Sequence, residues 1–144
     1  MTPPFTHVAC FVDDSDAAQR GLAEAVRIAG GGARLSVVHV VAPPPWPVVV
    51  GSALGGLVND PQALAAAAET WLAALVDGVE GAQAVVLSGH PTEEAVAFLE
   101  REACDLAVAA SHRGVVPRAV LGSFASFLAH HAPCSVLLVP PASA

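Results

Sequence analysis

Basic residues are scarce. Six Lys and Arg stand against thirteen Asp and Glu in 144 residues, for a formal charge of −7. Nucleic-acid binding needs a basic stripe to neutralise phosphates, so the charge argues against that class of partner. Aromatic residues make up only 5% of a chain that is 54% hydrophobic. Ala and Val carry the apolar content, which suits close helix-on-sheet packing rather than an aromatic-rich binding face. Cys10, Cys104 and Cys134 are odd in number and lie far apart without C-x-x-C spacing. That argues against a disulfide framework or a zinc site and for reduced, buried thiols. The six His are scattered with no H-x3-H spacing, so no metal site is expected. Long hydrophobic runs are also missing: no stretch of about 18 apolar residues escapes Pro, Gly clusters or charge, and no membrane partner is expected. The opening segment MTPPFTHVACFVDD has no basic region ahead of an apolar one, so no secretory signal is read and a cytoplasmic location is expected.

What the chain does contain is a regular alternation. The length suits one domain, 1–144. His7 to Val12 is a short apolar run rich in strand formers, and Asp13–Asp14–Ser15–Asp16 follows it as a cluster of capping residues. Ala18, Leu22, Ala25 and Ala29 then recur at helical spacing up to Gly30–Gly31–Gly32. A second strand, Leu35 to Val41, is stopped by Pro43–Pro44–Pro45. Ala42 to Asn59 is irregular yet apolar, with Trp46, Leu54 and Leu57, and reads as a loop folded against the body or a partner. Asp60–Pro61 reads as cap and first position of a helix whose buried stripe is Leu64, Ala68, Trp71 and Leu75. Strand three is Ala82 to Leu87. A third helix opens at Gly89–His90–Pro91 with early acidic residues and turns Val96, Leu99 and Ala103 inward. Strand four runs from Asp105 to Ala110. Phe124, Phe127, Leu128 and His131 mark a fourth helix, ended by Ala132–Pro133, and Ser135 to Pro140 is strand five. Continuously apolar strands joined by helices predict a parallel sheet covered on both faces.

In such a sheet a ligand crevice lies beyond the carboxyl ends of the strands, where the strand order reverses. Asp13, Val40 and the loop Ser111–Gly114 all fall at carboxyl ends. An Asp after strand one can accept hydrogen bonds from an adenine amino group or a hydroxyl. Gly122–Ser123 can offer backbone N–H groups and a hydroxyl to a phosphate. Each signal also has a plain structural meaning. Asp13 suits a helix cap shared with Asp14 and Ser15, Ser123 an ordinary helix start, and Arg113 a solvated loop charge. His39 and His112 suit structural hydrogen bonds, and His130–His131 a helix end, where a cation is favourable.

In these residues the chain resembles the universal stress protein family over nearly its whole length. Val12–Asp13–Asp14–Ser15, Val38–His39–Val40, Gly89–His90–Pro91, Asp105–Leu106 and Ser111–His112–Arg113–Gly114 carry the resemblance. Its most specific part is Leu121–Gly122–Ser123 followed by the run His131 to Val139. The resemblance implies a single doubly wound α/β domain of the Rossmann-like, adenine nucleotide alpha hydrolase-like kind. Its five parallel strands would take the order 3-2-1-4-5, with four helices. It also implies a homodimer formed through the last strand, Ser135 to Val139, and in some members an ATP site. Carried onto this chain, that nucleotide site comprises Val12, Asp13, Val40, Ala110, His112, Arg113, Gly114, Gly122, Ser123 and Phe124.

Nucleotide-binding members carry G-x2-G-x9-G-[ST] after strand four, and here the match is partial. Ala110 and Arg113 stand at the first two Gly positions, the spacing to Gly122 is one residue short, and Pro117 removes a backbone donor. Gly122–Ser123 matches fully. The expectation is a stress-linked regulatory module with a degenerate ATP cleft; the alternative is a dimeric protein-interaction module without nucleotide. A phosphoacceptor receiver domain would share the fold and the acidic pair Asp13–Asp14. It also needs an Asp after strand three and a Lys after strand five, where this chain has Leu87–Ser88–Gly89 and Val139–Pro140–Pro141. No nucleophile and base stand at a recognisable spacing and no G-x-S-x-G elbow is present, so an enzyme is not expected beyond slow, incidental ATP hydrolysis.

Overall fold

A computed structural model describes residues 4–13, 15–30, 32–42, 61–111 and 122–141. The alternation read from the sequence appears as five strands and four helices among them. They are β1 His7–Phe11, α1 Asp16–Ala29, β2 Arg34–Val41, α2 Pro61–Val76, β3 Ala82–Ser88, α3 Pro91–Arg101, β4 Leu106–Ala110, α4 Ser123–His131 and β5 Ser135–Val139. The sheet is parallel throughout in the order β3-β2-β1-β4-β5.

The central strands β1 and β4 and the first half of β2 are largely apolar and buried on both faces. Val8, Cys10 and Val12 of β1 and its exit, with Val37 of β2 and Val108 of β4, pack under Leu22 and Ala25 of α1 and Leu72 of α2. Ala9, Phe11, Val38, Ala107 and Ala109 pack on the opposite face under Ala95, Phe98 and Leu99 of α3 and Leu128 of α4. Small Ala and Val side chains let the helices sit close to the sheet. Leu72, Leu99 and Leu128 are the large side chains fully enclosed, and truncating any of them to Ala typically costs about 2–5 kcal/mol.

Helix boundaries follow local chemistry. Ser15 caps α1, its Oγ accepting the N–H of Ala18 at 3.2 Å. Gly30 closes that helix at φ 55, donating its N–H to the Val26 carbonyl. Three inward-facing assignments shift. The fully buried residue of α2 is Leu72, while Leu64, Ala68, Trp71 and Leu75 are half-buried. On α3 the buried residues are Ala95, Phe98 and Leu99; Ala103 lies past the helix end at φ 51, where the chain turns back toward β4. On α4 Ala125 and Leu128 are buried and His131 is exposed, because the helix presents only one narrow face to the sheet. The Asp60 cap, the Ala42–Asn59 loop beyond its first residue, and Pro117 lie outside the described residues.

Candidate functional site

The carboxyl ends of β1, β2 and β4 surround a cavity of about 340 Å3. Phe11, Val12 and Asp13 come from the exit of β1, Val38, His39 and Val40 from β2, and Ala109 and Ala110 from β4. The first turn of α4 adds Gly122, Ser123, Phe124 and Ala125, while Ala18 of α1 and Pro91 of α3 close the sides. This is the place where the strand order reverses: β1 has β2 on one side and β4 on the other. The connections leaving those strands turn to opposite faces, and a crevice is left between them.

Two backbone arrays face that space. The Val12 N–H donates to the Val38 carbonyl at 2.9 Å, and the Gly89 N–H donates to the Val41 carbonyl at 3.0 Å. Successive residues of a parallel strand turn their backbone groups to alternate neighbours. Val38 faces β1 and Val41 faces β3, so the N–H and C=O of Val40 turn toward β1. The β1–β2 ladder has already stopped at Phe11↔Val38, and Val40 meets the cavity instead. The second array is the start of α4. Gly122 holds φ 92 and ψ 151 with no side-chain cap, a conformation suited to glycine. Ser126 is the first residue whose N–H reaches back into the helix, to the Gly122 carbonyl at 3.0 Å. The N–H groups of Ser123, Phe124 and Ala125 have no intrahelical acceptor.

Asp13 is held by its own chain. Its Oδ1 accepts the Ser15 N–H at 2.9 Å and the Ser15 hydroxyl as well. The cap of α1 is therefore Ser15, oriented by Asp13, which narrows the shared cap read from the sequence. Nδ1 of His39 donates to the Val12 carbonyl at 2.7 Å, the structural hydrogen bond expected of it. Phe11 and Phe124 meet edge to face with ring centroids 5.6 Å apart, forming an apolar wall.

Seven of the ten residues singled out in the sequence, Val12, Asp13, Val40, Ala110, Gly122, Ser123 and Phe124, line this one cavity. His112, Arg113 and Gly114 lie outside the described residues. The other seven lining residues, Phe11, Ala18, Val38, His39, Pro91, Ala109 and Ala125, are not among those singled out in the sequence. Phe11, Val38 and Ala109 carried the available signal of standing at the ends of apolar runs; Pro91 and Ala18 carried none, since only packing brings α3 and α1 to the rim.

The thiols behave as core. Burial pushes the Cys10 thiol up to about 12 and the Cys104 thiol up to about 11, and raises Cys134 as well. Among the described residues no group of three or more His, Cys, Asp or Glu converges as a metal site. Among those residues, too, no helix is long and apolar enough to cross a membrane.

A family model described as the universal stress protein family matches residues 4–140. The chain belongs to the universal stress protein family. Among solved structures, the universal stress protein UspA from Lactobacillus plantarum is 26% identical, with a TM-score of 0.71 over 93% of this chain and 97% of that one. A universal stress protein in complex with cAMP is 20% identical, with a TM-score of 0.70 over 94% and 97% of the two chains. A family protein from Arabidopsis thaliana with AMP bound is 17% identical, with a TM-score of 0.64 over 96% and 93%. These likenesses share the Rossmann-like α/β fold of the universal stress proteins. No curated protein sequence matches the chain.

Proposed function

We propose that the cavity receives an adenine nucleotide and that the domain works as a stress-linked regulatory module in the cytoplasm. The observation that carries this reading is the convergence of the Val40 backbone and the uncapped start of α4 on one space. The Val40 carbonyl suits the adenine amino group, and its N–H suits the adjoining ring nitrogen. Guanine offers a carbonyl and a ring N–H at those places, so both contacts turn repulsive. The first turn of α4 suits a phosphate, since its N–H groups and dipole favour an anion. Asp13 suits a hydroxyl or amino group. The relatives named as cAMP and AMP complexes add support.

The cleft is an altered one. Ala110 stands where the family pattern has Gly, and no Lys or Arg is among the described residues of the lining. Among the described residues, the groups offered to phosphate are therefore the backbone N–H groups at the start of α4. Any hydrolysis of bound ATP is proposed to be slow and incidental. Titrating ATP and AMP by calorimetry into nucleotide-free protein tests the reading. Saturable heat that disappears in Gly122→Trp supports it; absence of heat and of any thermal shift overturns it.

The proposal includes a homodimer through Ser135 to Val139. β5 is a sheet edge on which Val136, Leu137 and Leu138 are only half-buried, and an apolar edge favours pairing with a second chain. A monomer mass in light scattering across a wide concentration range would remove this part. The same edge, with Ala110 in place of Gly, favours a second reading: a dimeric protein-interaction module that binds no nucleotide.

A further inference from the structure

The β1–β2 ladder ends at Phe11↔Val38, while β2 runs on to Val41 by pairing with β3. β2 thus overhangs β1 at the rim of the cavity, and in the overhang a side chain takes over from the backbone ladder. Nδ1 of His39 lies 2.7 Å from the Val12 carbonyl. A carbonyl only accepts, so Nδ1 carries the proton and donates. The Val12 N–H already donates to the Val38 carbonyl at 2.9 Å. Val12 is therefore held through both backbone groups by consecutive residues of β2. The next residue is Asp13, whose Oδ1 takes the Ser15 N–H at 2.9 Å, so the restraint continues into the cap of α1. On its other side the His39 ring meets Trp71 of α2 edge to face, with centroids 5.1 Å apart and planes at 73°. That contact sets the direction of the ring.

We infer that His39 is a positioning residue of the cavity: it fixes the exit of β1, and with it Asp13, at a set distance from the Val40 backbone. The inference rests on the adenine-nucleotide reading above for its functional consequence. Asp13 and Val40 would meet different parts of one nucleoside, so their spacing must exist before the ligand arrives if the ligand is not to bear the ordering cost. His39 acts through Val12 and Asp13 and needs no contact with the ligand.

Two variants separate this role from simple packing. His39→Leu keeps an apolar side chain against Trp71 but removes the donor. His39→Asn places an amide N–H where Nδ1 stands. Two readouts are taken: calorimetric titration with AMP, and amide hydrogen exchange of Val12 in the ligand-free protein, with Cys10 in mid-strand as reference. In His39→Leu, AMP affinity is expected to fall about tenfold, the worth of one hydrogen bond. Val12 exchange accelerates by a similar factor while Cys10 is unchanged. His39→Asn restores both to within about threefold. The inference is overturned if His39→Leu binds AMP like the parent and leaves Val12 exchange unchanged, or if His39→Asn is no better than His39→Leu. A parent protein that binds no AMP sinks the nucleotide reading alone, because the Val12 exchange of the two variants still decides whether His39 holds the strand exit.

Discussion

At the amino end of the sheet the polar groups satisfy one another. The Asp105 carboxylate takes the N–H groups of Thr6 and His7 at 2.8 and 2.9 Å and the Thr6 hydroxyl at 3.2 Å. Buried His7, 4% exposed, donates from Nδ1 to the Glu102 carbonyl at 3.1 Å and pairs through Nε2 with the Ser36 hydroxyl at 2.7 Å. At the carboxyl end the same strands leave backbone groups facing a cavity, and α4 starts on a glycine that has no side chain to cap it. Among the described residues no buried side-chain polar atom lacks a partner. One end is closed by its own side chains; at the other, among the described residues, backbone groups border a cavity.

The largest test of this contrast is Gly122→Val at the open end. A β-branched residue at φ 92 costs about 1–3 kcal/mol and moves the N–H groups of the first turn of α4. Nucleotide affinity is expected to fall more than about thirtyfold by calorimetry, a loss of about 2 kcal/mol, with a lower melting temperature. The mirror test at the closed end is His7→Leu. It leaves the Ser36 hydroxyl and the Glu102 carbonyl without their imidazole partner in a buried place, at a cost of about 1–3 kcal/mol. Denaturant unfolding should show that loss, with nucleotide affinity unchanged.

Ser15→Ala probes a helix start at the cavity that the chain caps for itself. About 1 kcal/mol of stability should go with the cap, read as a lower denaturation midpoint, and affinity should change little. A strong loss of affinity would show that the α1 cap belongs to the binding surface after all. The smallest effect is the acid dependence of Asp105. Partial desolvation pushes its carboxyl up, but the hydrogen bonds from Thr6 and His7 outweigh this and hold it below its ordinary 3.8. A carboxylate with a lowered folded value binds fewer protons in the native state than in the unfolded one. Its stabilisation is full above the unfolded value and is lost as pH falls through the lower folded value. The stability gap between the parent and Asp105→Asn should thus be constant above about pH 5 and shrink below pH 4 in urea unfolding series.

Much of the fold was legible because each element obeys a local rule. The apolar runs His7–Val12 and Leu106–Ala110 are short, rich in strand formers and bounded by turn signals, as strands buried on both faces are. Pro91 and Gly30 mark a helix start and a helix end for reasons internal to the backbone. The inward residues were less legible. Leu72 and Ala125 displaced the stripes drawn through Trp71 and Phe127, because the tilt of a helix on a twisted sheet selects which neighbouring positions touch it. The helical spacing predicts Ala103 as a core residue; it is the left-handed turn after α3, a conformation that nothing in its identity announces.

The parallel α/β class, the order of the elements along the chain and the residues with chemistry to offer at the strand ends follow from local propensity and apolar period. That Val12, Asp13, Val40, Ala110 and Gly122 to Phe124 surround one cavity, and that His39 replaces the missing ladder at Val12, follows from how the strands pair. Both depend on where β1 stops relative to β2, and that stopping point is set by pairing and packing between segments far apart in the chain.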